Sequence, residues 1–332
     1  MFGKSNLCFV KTELYALIFL VPPFSVTIKE KFKMKRCVLY GLIPIFLSAC
    51  GGSSSTNTGA PLVNFSSTTA NSTVELSGGI NNEGNYTYDV AGLKLTGFSN
   101  YTSGQTGTKA TVTYDANKQP TSVTLTSAGG TSTTWNSATD TFGVLRINNS
   151  VDVVISANNQ NYALAANPYD FGWDYQTFGT WVTGGGTGSG TVGNYTVGSV
   201  STGSGIPTTG SGTYTGSTGG RYSDALGNDH FTSSDLSASA NFATRSVSLT
   251  SSSTATTRDL LAVSADANLD FTGTMTYTAA TNNLSGTITT TGGDTGTVKG
   301  QFYGPAAEEL GGTFSLNPVG LKAFIGAFGA KK

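Results

Sequence analysis

Of 332 residues, 44 are glycine, 37% are apolar and only 11% are charged, a composition shared by low-complexity chains and by β-rich extracellular proteins. Fourteen Tyr, eighteen Phe and three Trp exclude a disordered Gly/Ser/Thr tract, and together with Thr and Val they suit a half-buried pleated surface. From residue 50 onward 11 basic residues stand against 17 acidic ones, a net charge of −6 that excludes nucleic acid as a partner, because that needs clustered Lys and Arg.

The N-terminal region stands apart from this β-rich composition. Met34-Lys35-Arg36 is a basic n-region, residues 37–46 (CVLYGLIPIF) form a short apolar h-region, and Leu47-Ser48-Ala49-Cys50 ends it with small residues before a cysteine. The pattern resembles the bacterial lipoprotein signal. The resemblance implies a signal peptide over residues 34–49, cleavage before Cys50, and diacylglycerol on the Cys50 thiol. Residues 50–59, Gly/Ser/Thr-rich, then read as a flexible tether. Residues 1–33 precede a complete signal and read as an upstream extension, with Met34 the expected start. The apolar run over residues 14–28 is broken by Pro22-Pro23 and falls short of the roughly 20 residues of a spanning helix. Of three cysteines only Cys50 would remain, with its sulfur used, so disulfides, thiolate metal sites and cysteine nucleophiles are not expected.

Residues 60–182 read as a β-rich, handle-like domain. The runs 86–95 (YTYDVAGLKL), 109–114 (KATVTY) and 122–127 (SVTLTS) are strand-like, and Asp, Asn and Pro in 115–120 make a hairpin loop between the last two. Residues 144–147 and 151–155 form a further pair around Asn148-Asn149. The stretch closes on 169–181 (YDFGWDYQTFGTW), where six of thirteen residues are aromatic and must pack or bind something. A Gly-rich linker is expected over 183–205, with Tyr195 and its valines as a short strand within it.

Residues 206–332 contain eight candidate strands: 210–216, 236–242, 244–250, 269–278, 284–290, 296–303, 311–316 and 321–328. Most alternate with period two, and turn residues such as Asn282-Asn283 and Gly292-Gly293-Asp294 separate them. Eight short antiparallel strands can close into a barrel with a side-chain-filled interior and no free edge. The expected fold is therefore all-β: an N-terminal handle domain followed by an eight-stranded antiparallel barrel.

Catalytic patterns are weak. His230 is the single histidine, no G-x-S-x-G elbow accompanies it, and it reads as a surface-loop residue that keeps a role as a candidate haem ligand, with tyrosine as the other available ligand type. Residues 184–190 (GGGTGSG) imitate a phosphate loop but lack the following Lys-Ser/Thr and helix. Asp266, Asp270 and Asp294 have no calcium-loop spacing and read as turn or solvated-face residues. Glu308-Glu309 are sequence neighbours without a suitably spaced second acid. No enzyme, no metal site and no resident cofactor are expected, and Tyr169, Trp173, Tyr175 and Trp181 are the candidate ligand-binding rings, their alternative being a seam between two domains.

The segment 300–314 (GQFYGPAAEELGGTF) carries the most specific signal. Gly300, Phe302, Tyr303, Gly304 and Pro305, then Glu308, Glu309, Leu310, Gly311, Gly312 and Phe314, resemble the barrel signature of the transferrin-binding protein B family: a strand ending in F-Y-G-P, a turn with A-E-E, and a G-G-x-F strand. Residues 328–332 are similar to the family's barrel ending, and 175–181 resemble the strand that closes its handle domain. The resemblance implies a lipid-anchored, surface-exposed protein of the Gram-negative outer membrane that captures a host protein or a haem or iron carrier. It further implies a TonB-dependent receptor and a surface-lipoprotein assembly protein as partners, beside membrane lipid through Cys50. The mature chain has room for one handle–barrel lobe where full transferrin binders have two. The alternative is a structural or adhesive surface lipoprotein without small cargo, to which the Thr/Ser/Asn-rich surface points.

Overall fold

The computed structural model describes residues 62–91, 94–147, 151–156, 161–185, 187–258 and 262–332, so the signal, Cys50 and the tether lie outside the described residues. The architecture is all-β. Eleven strands precede the barrel: β1 (Thr73–Ser77), β2 (Gly79–Asp89), β3 (Lys94–Thr106), β4 (Lys109–Tyr114), β5 (Pro120–Thr126), β6 (Ser132–Asn136), β7 (Phe142–Ile147), β8 (Val151–Ser156), β9 (Tyr162–Ala165), β10 (Gln176–Val182) and β11 (Ser189–Gly198). They form a four-stranded sheet β1-β4-β5-β6, a five-stranded sheet β3-β2-β11-β10-β9, and the hairpin β7–β8.

Local chemistry accounts for these elements. The expected hairpin loop joins β4 to β5 because Asp115 Oδ1 accepts from the backbone N–H groups of Asn117 and Gln119, at 2.7 and 2.9 Å, while Lys118 adopts φ +60°. A single helical turn, α1 (Pro168–Phe171), is capped by Asn167 and stopped by Gly172 in the left-handed region. The four-stranded sheet packs on the five-stranded sheet through Val74, Leu76, Val112, Leu125 and Trp135 against Trp181, Tyr195 and Val197.

One element departs from expectation. β11 runs through the middle of the stretch read as linker and pairs with both β10 and β2, so residues 189–198 are central to the handle sheet. Its glycines obscured this in sequence. The indole of Trp181 lies over Gly193 in the register-paired position, and Tyr195 lies over Gly179, so two large rings fill the space that two missing Cβ atoms leave. The segment after β11 is also fixed: Ser201 donates to the carbonyl of Phe302 and Ile206 enters the barrel core.

The second half is the expected closed barrel. Its strands are β12 (Ser211–Ser223), β13 (Asp229–Asn241), β14 (Ser246–Thr257), β16 (Phe271–Thr276), β17 (Leu284–Thr290), β18 (Thr295–Tyr303), β19 (Glu309–Leu316) and β20 (Ala323–Lys331); the short β15 (Val263–Ala265) extends β14 at one end. Pairing of β13 with β14 closes the ring. Tyr214, Phe242, Phe271, Phe302, Phe314 and Phe328 fill its interior, and full burial of rings and aliphatics of this size contributes about 1.5–3 kcal/mol each. β12 and β13 are longer than their alternation suggested, because Gly219 and Gly220 interrupt the pattern where β12 meets the handle ring of Phe178 and the backbone of β20.

The outer wall is hydroxylic. Thr215, Ser237, Thr250, Thr272, Thr289 and Thr295 form one exposed row across six adjacent strands, and Thr213, Ser239, Ser248, Thr274, Thr287 and Thr297 form the next. An apolar interior with a hydroxyl exterior is the reverse of the polarity of a lipid-facing barrel. Among the described residues no helix is long and apolar enough to cross a membrane.

Candidate functional site

The barrel has two unlike ends. At one end Ile206, Phe242, Phe302 and Ala307 close the interior, and Asn282 ties the strap of residues 199–206 to β18, donating to the carbonyls of Ser201 and Phe302 and accepting from Phe302 N–H, each at 2.8 Å. The chain also enters here: Val63 N–H donates to Ser199 Oγ at 2.6 Å, and Ser199 O accepts from Gly304 N–H.

The opposite end carries the segments 224–228, 262–270, 291–294 and 317–322. Each is braced by side chains. Asp224 Oδ1 accepts from Leu226 and Asn228 N–H at 2.8 and 2.9 Å, Asp266 and Asp270 cap the turn of residues 267–269 and the backbone of Thr254, and Asp294 binds Lys322 and Asn317. The expected turn role of these acids holds, with Lys322–Asp294 the only ion pair they make among the described residues at 4 Å or closer. On this braced frame Leu226, Val263, Val319 and Leu321 stand exposed by 70, 49, 69 and 37%. They are four of the five exposed large hydrophobic side chains among the described residues, and all lie on one rim. Aliphatics exposed on the loops of one end make that end the candidate contact surface. Their sequence signal was faint, single aliphatics inside polar turns such as Gly320 and its neighbours Val319 and Leu321, and sequence reasoning passed over them.

His230 lies just inside this rim on β13, not in a surface loop as expected, because β13 begins at Asp229. It pairs across the strands with Tyr222, ring centroids 6.2 Å apart. Burial holds its imidazole below the ordinary histidine range, against the opposing pull of the Asp224 carboxylate. The four aromatic candidates are elsewhere. Trp173 is stacked on Phe171 and Trp181 lies in the handle core, exposed by only 3 and 5%, so neither presents a ring to a partner. Their binding role is corrected to packing. Tyr169 is half-buried among Phe65 and Tyr114 with Lys118 Nζ 5.0 Å above its ring, and Tyr175 packs on Gly304 at the seam between handle and barrel. The structure does not bring these rings together with His230. No cluster of three metal-ligating side chains occurs among the described residues.

The segment 300–314 makes the handle–barrel seam. Phe302, Leu310, Gly312 and Phe314 alternate inward, and Tyr303, Glu309, Gly311 and Thr313 alternate outward under the handle, so β19 is buried on both faces. A Cβ at Gly311 would meet Gln176 Oε1 at 2.9 Å, and one at Gly312 would meet the Phe328 ring at 2.6 Å. Gly304 has φ +86° and touches the Tyr175 ring, Pro305 follows it into the turn, and Gly300 lies against Met275. Glu308 Oε2 accepts from Ala306 N–H at 2.8 Å, and Glu309 takes the N–H groups of Asp174 and Tyr175 at 2.5 and 3.0 Å. The two glutamates point to different partners and form no acid–base pair. Burial pushes the Glu309 carboxyl up to about 7, against the lowering effect of those two N–H groups. Beside it Lys331 pairs with Asp174, and further along the seam Arg221 pairs with Asp229 and stacks between Tyr162 and Phe231.

A handle sheet clasped to a closed, apolar-cored barrel with one loop-bearing rim defines a handle-and-barrel β lobe. Residues 206–332, about two fifths of the chain, match the family model described as the C-lobe and N-lobe beta barrels of Tf-binding protein B. Among solved structures the chain is similar to a point mutant of transferrin-binding protein B from Haemophilus parasuis (17% identity, 76% of this chain and 45% of that one, TM-score 0.40). It is also similar to the isotype 1 transferrin-binding protein B of serogroup B Neisseria meningitidis (18%, 76% and 43%, TM-score 0.39) and to a protein described as a surface lipoprotein (16%, 76% and 98%, TM-score 0.39). The chain thus spans less than half the length of the first two. Among curated proteins none shows significant sequence similarity to it.

Proposed function

We propose that this chain is a single-lobe, lipid-anchored surface protein of the Gram-negative outer membrane, held through Cys50, that captures a host protein or an iron- or haem-type cargo. The observation that carries the reading is the braced rim with Leu226, Val263, Val319 and Leu321 exposed. It lies at the end of the barrel opposite Val63, where the chain enters. The nine residues of β18 at about 3.3 Å each separate the two ends by roughly 30 Å. Exposed aliphatics on a rigid frame favour a protein contact, and the rim's acids favour a partner with basic groups around an apolar centre. A TonB-dependent receptor and a surface-lipoprotein assembly protein fit the same reading as onward partners.

Pull-down from host serum with residues 51–332, alongside a haem titration, tests it. Retention of one serum protein, abolished by Leu226→Ser with Val319→Ser, is the expected result; no retained protein and no haem spectrum overturns it. A haem band that survives His230→Ala would remove His230 as a ligand. The rows of exposed Ser and Thr keep the adhesive reading in view. Deletion that alters surface attachment while growth on every iron source is unchanged would favour it.

A further inference from the structure

We propose that the joint between handle and barrel is a proton-controlled latch, with Glu309 as the group that takes up the proton. Its carboxylate is fully buried and holds two successive backbone N–H groups, those of Asp174 and Tyr175, immediately before β10. One barrel side chain thereby fixes the start of the strand that carries Phe178 and Trp181. The charged and titratable groups around it are few. Asp174 and Tyr175 face it from the handle, Tyr303 from β18, Lys331 and Lys332 from the C-terminal strand, and Glu308 from its own turn. Lys331 Nζ is taken by Asp174 and the carbonyl of Gly172; Lys332 Nζ lies over the rings of Tyr214 and Phe242. Neither forms an ion pair with Glu309.

The seam is mixed: apolar where Phe178 packs with Ala327 and where Val182 and Val192 pack with Ala323 and Ile325, and polar beside the latch. Gln176 Nε2, both amide atoms of Asn194 and Gln301 Oε1 are buried in it without a hydrogen-bond partner among the described residues. When the joint opens, the Glu309 carboxyl returns to water and to the ordinary value of 4.5, whereas burial holds it at about 7 in the closed form. Between these values the closed form keeps a proton that the open form releases. Lower pH therefore closes the joint and higher pH opens it, by up to tenfold in the opening equilibrium per pH unit, levelling off above 7.

The test uses the whole chain with ¹³C-labelled glutamate carboxyls and amide hydrogen exchange from pH 5 to 8, corrected for base catalysis. We expect Glu309 to titrate near 7, and the opening measured at the Asp174 and Tyr175 amides to rise about 40-fold from pH 5 to 7. Glu309→Gln should abolish the slope. Glu308→Gln should keep it, since that carboxylate reaches the N–H of Ala306. Titration of Glu309 near 4.5, a pH-independent opening, or a slope that survives Glu309→Gln overturns the latch. If Glu309→Gln does not fold, the wild-type titration and the Glu308→Gln profile decide.

Discussion

Two glycines show how a single missing Cβ sets the fold. At Gly193 a methyl group would lie inside the Trp181 ring, so Gly193→Ala should cost about 1–3 kcal/mol as an overpacked core does, while Trp181→Ala should cost about 3–5 kcal/mol by leaving a cavity between the two handle sheets. Chemical denaturation of both variants checks this. A smaller loss for Trp181→Ala than for Gly193→Ala would mean that the ring is not part of the core. At Gly304, φ of +86° adds backbone strain to a side-chain clash with Tyr175, and Gly304→Ala should cost about 1–3 kcal/mol. Both positions were visible in the sequence as residue types only. That the first is paired with Trp181 depends on the register of β10 and β11, which no local pattern specifies.

At the scale of elements, the rim loops separate stability from binding. Leu226 and Val319 are so exposed that replacing both with serine should move the unfolding free energy by no more than about 0.5 kcal/mol per site, while partner capture is lost. Thermal unfolding and pull-down on the same variant distinguish the two effects. Asp224→Ala should instead cost about 1 kcal/mol, because its carboxylate serves two loop N–H groups and the Asn228 side chain. The eight barrel strands were legible because inward Val, Leu, Ile and Phe alternate with outward Ser and Thr. β11 was legible only as a short strand around Tyr195, since its glycines and valines are buried on both faces and even its polar Asn194 and Thr196 are buried. The rings of residues 169–181 were legible as a cluster that must pack, but their exposure depended on which sheet faces they met.

For the whole molecule, the seam makes the halves interdependent. A fragment of residues 206–332 would expose Ile325, Ala327 and the outer face of β19, which the handle now covers, so it should bind a hydrophobic dye or aggregate where residues 51–332 do not. A monomeric, dye-silent fragment would refute this. Acid and alkali should act through different groups. Glu309, raised in the folded state, contributes stability that is present below 4.5 and lost as pH rises through about 7; His230, lowered, contributes stability present above 6.5 and lost as pH falls. Unfolding curves of Glu309→Gln and His230→Ala should each lose one of these two slopes and keep the other.

The sequence by itself determined the all-β class and the eight strands of the barrel, because alternation and turn chemistry act over neighbouring residues, and residues 300–314 carried the resemblance that the family model matches over 206–332. Only the tertiary structure decided that Trp173, Phe178 and Trp181 of the aromatic cluster are core, that Glu308 and Glu309 part company, and that four scattered aliphatics share one rim. Those outcomes depend on strand register and on which face the handle covers, and both are settled by contacts between residues more than a hundred positions apart, such as Glu309 with Asp174.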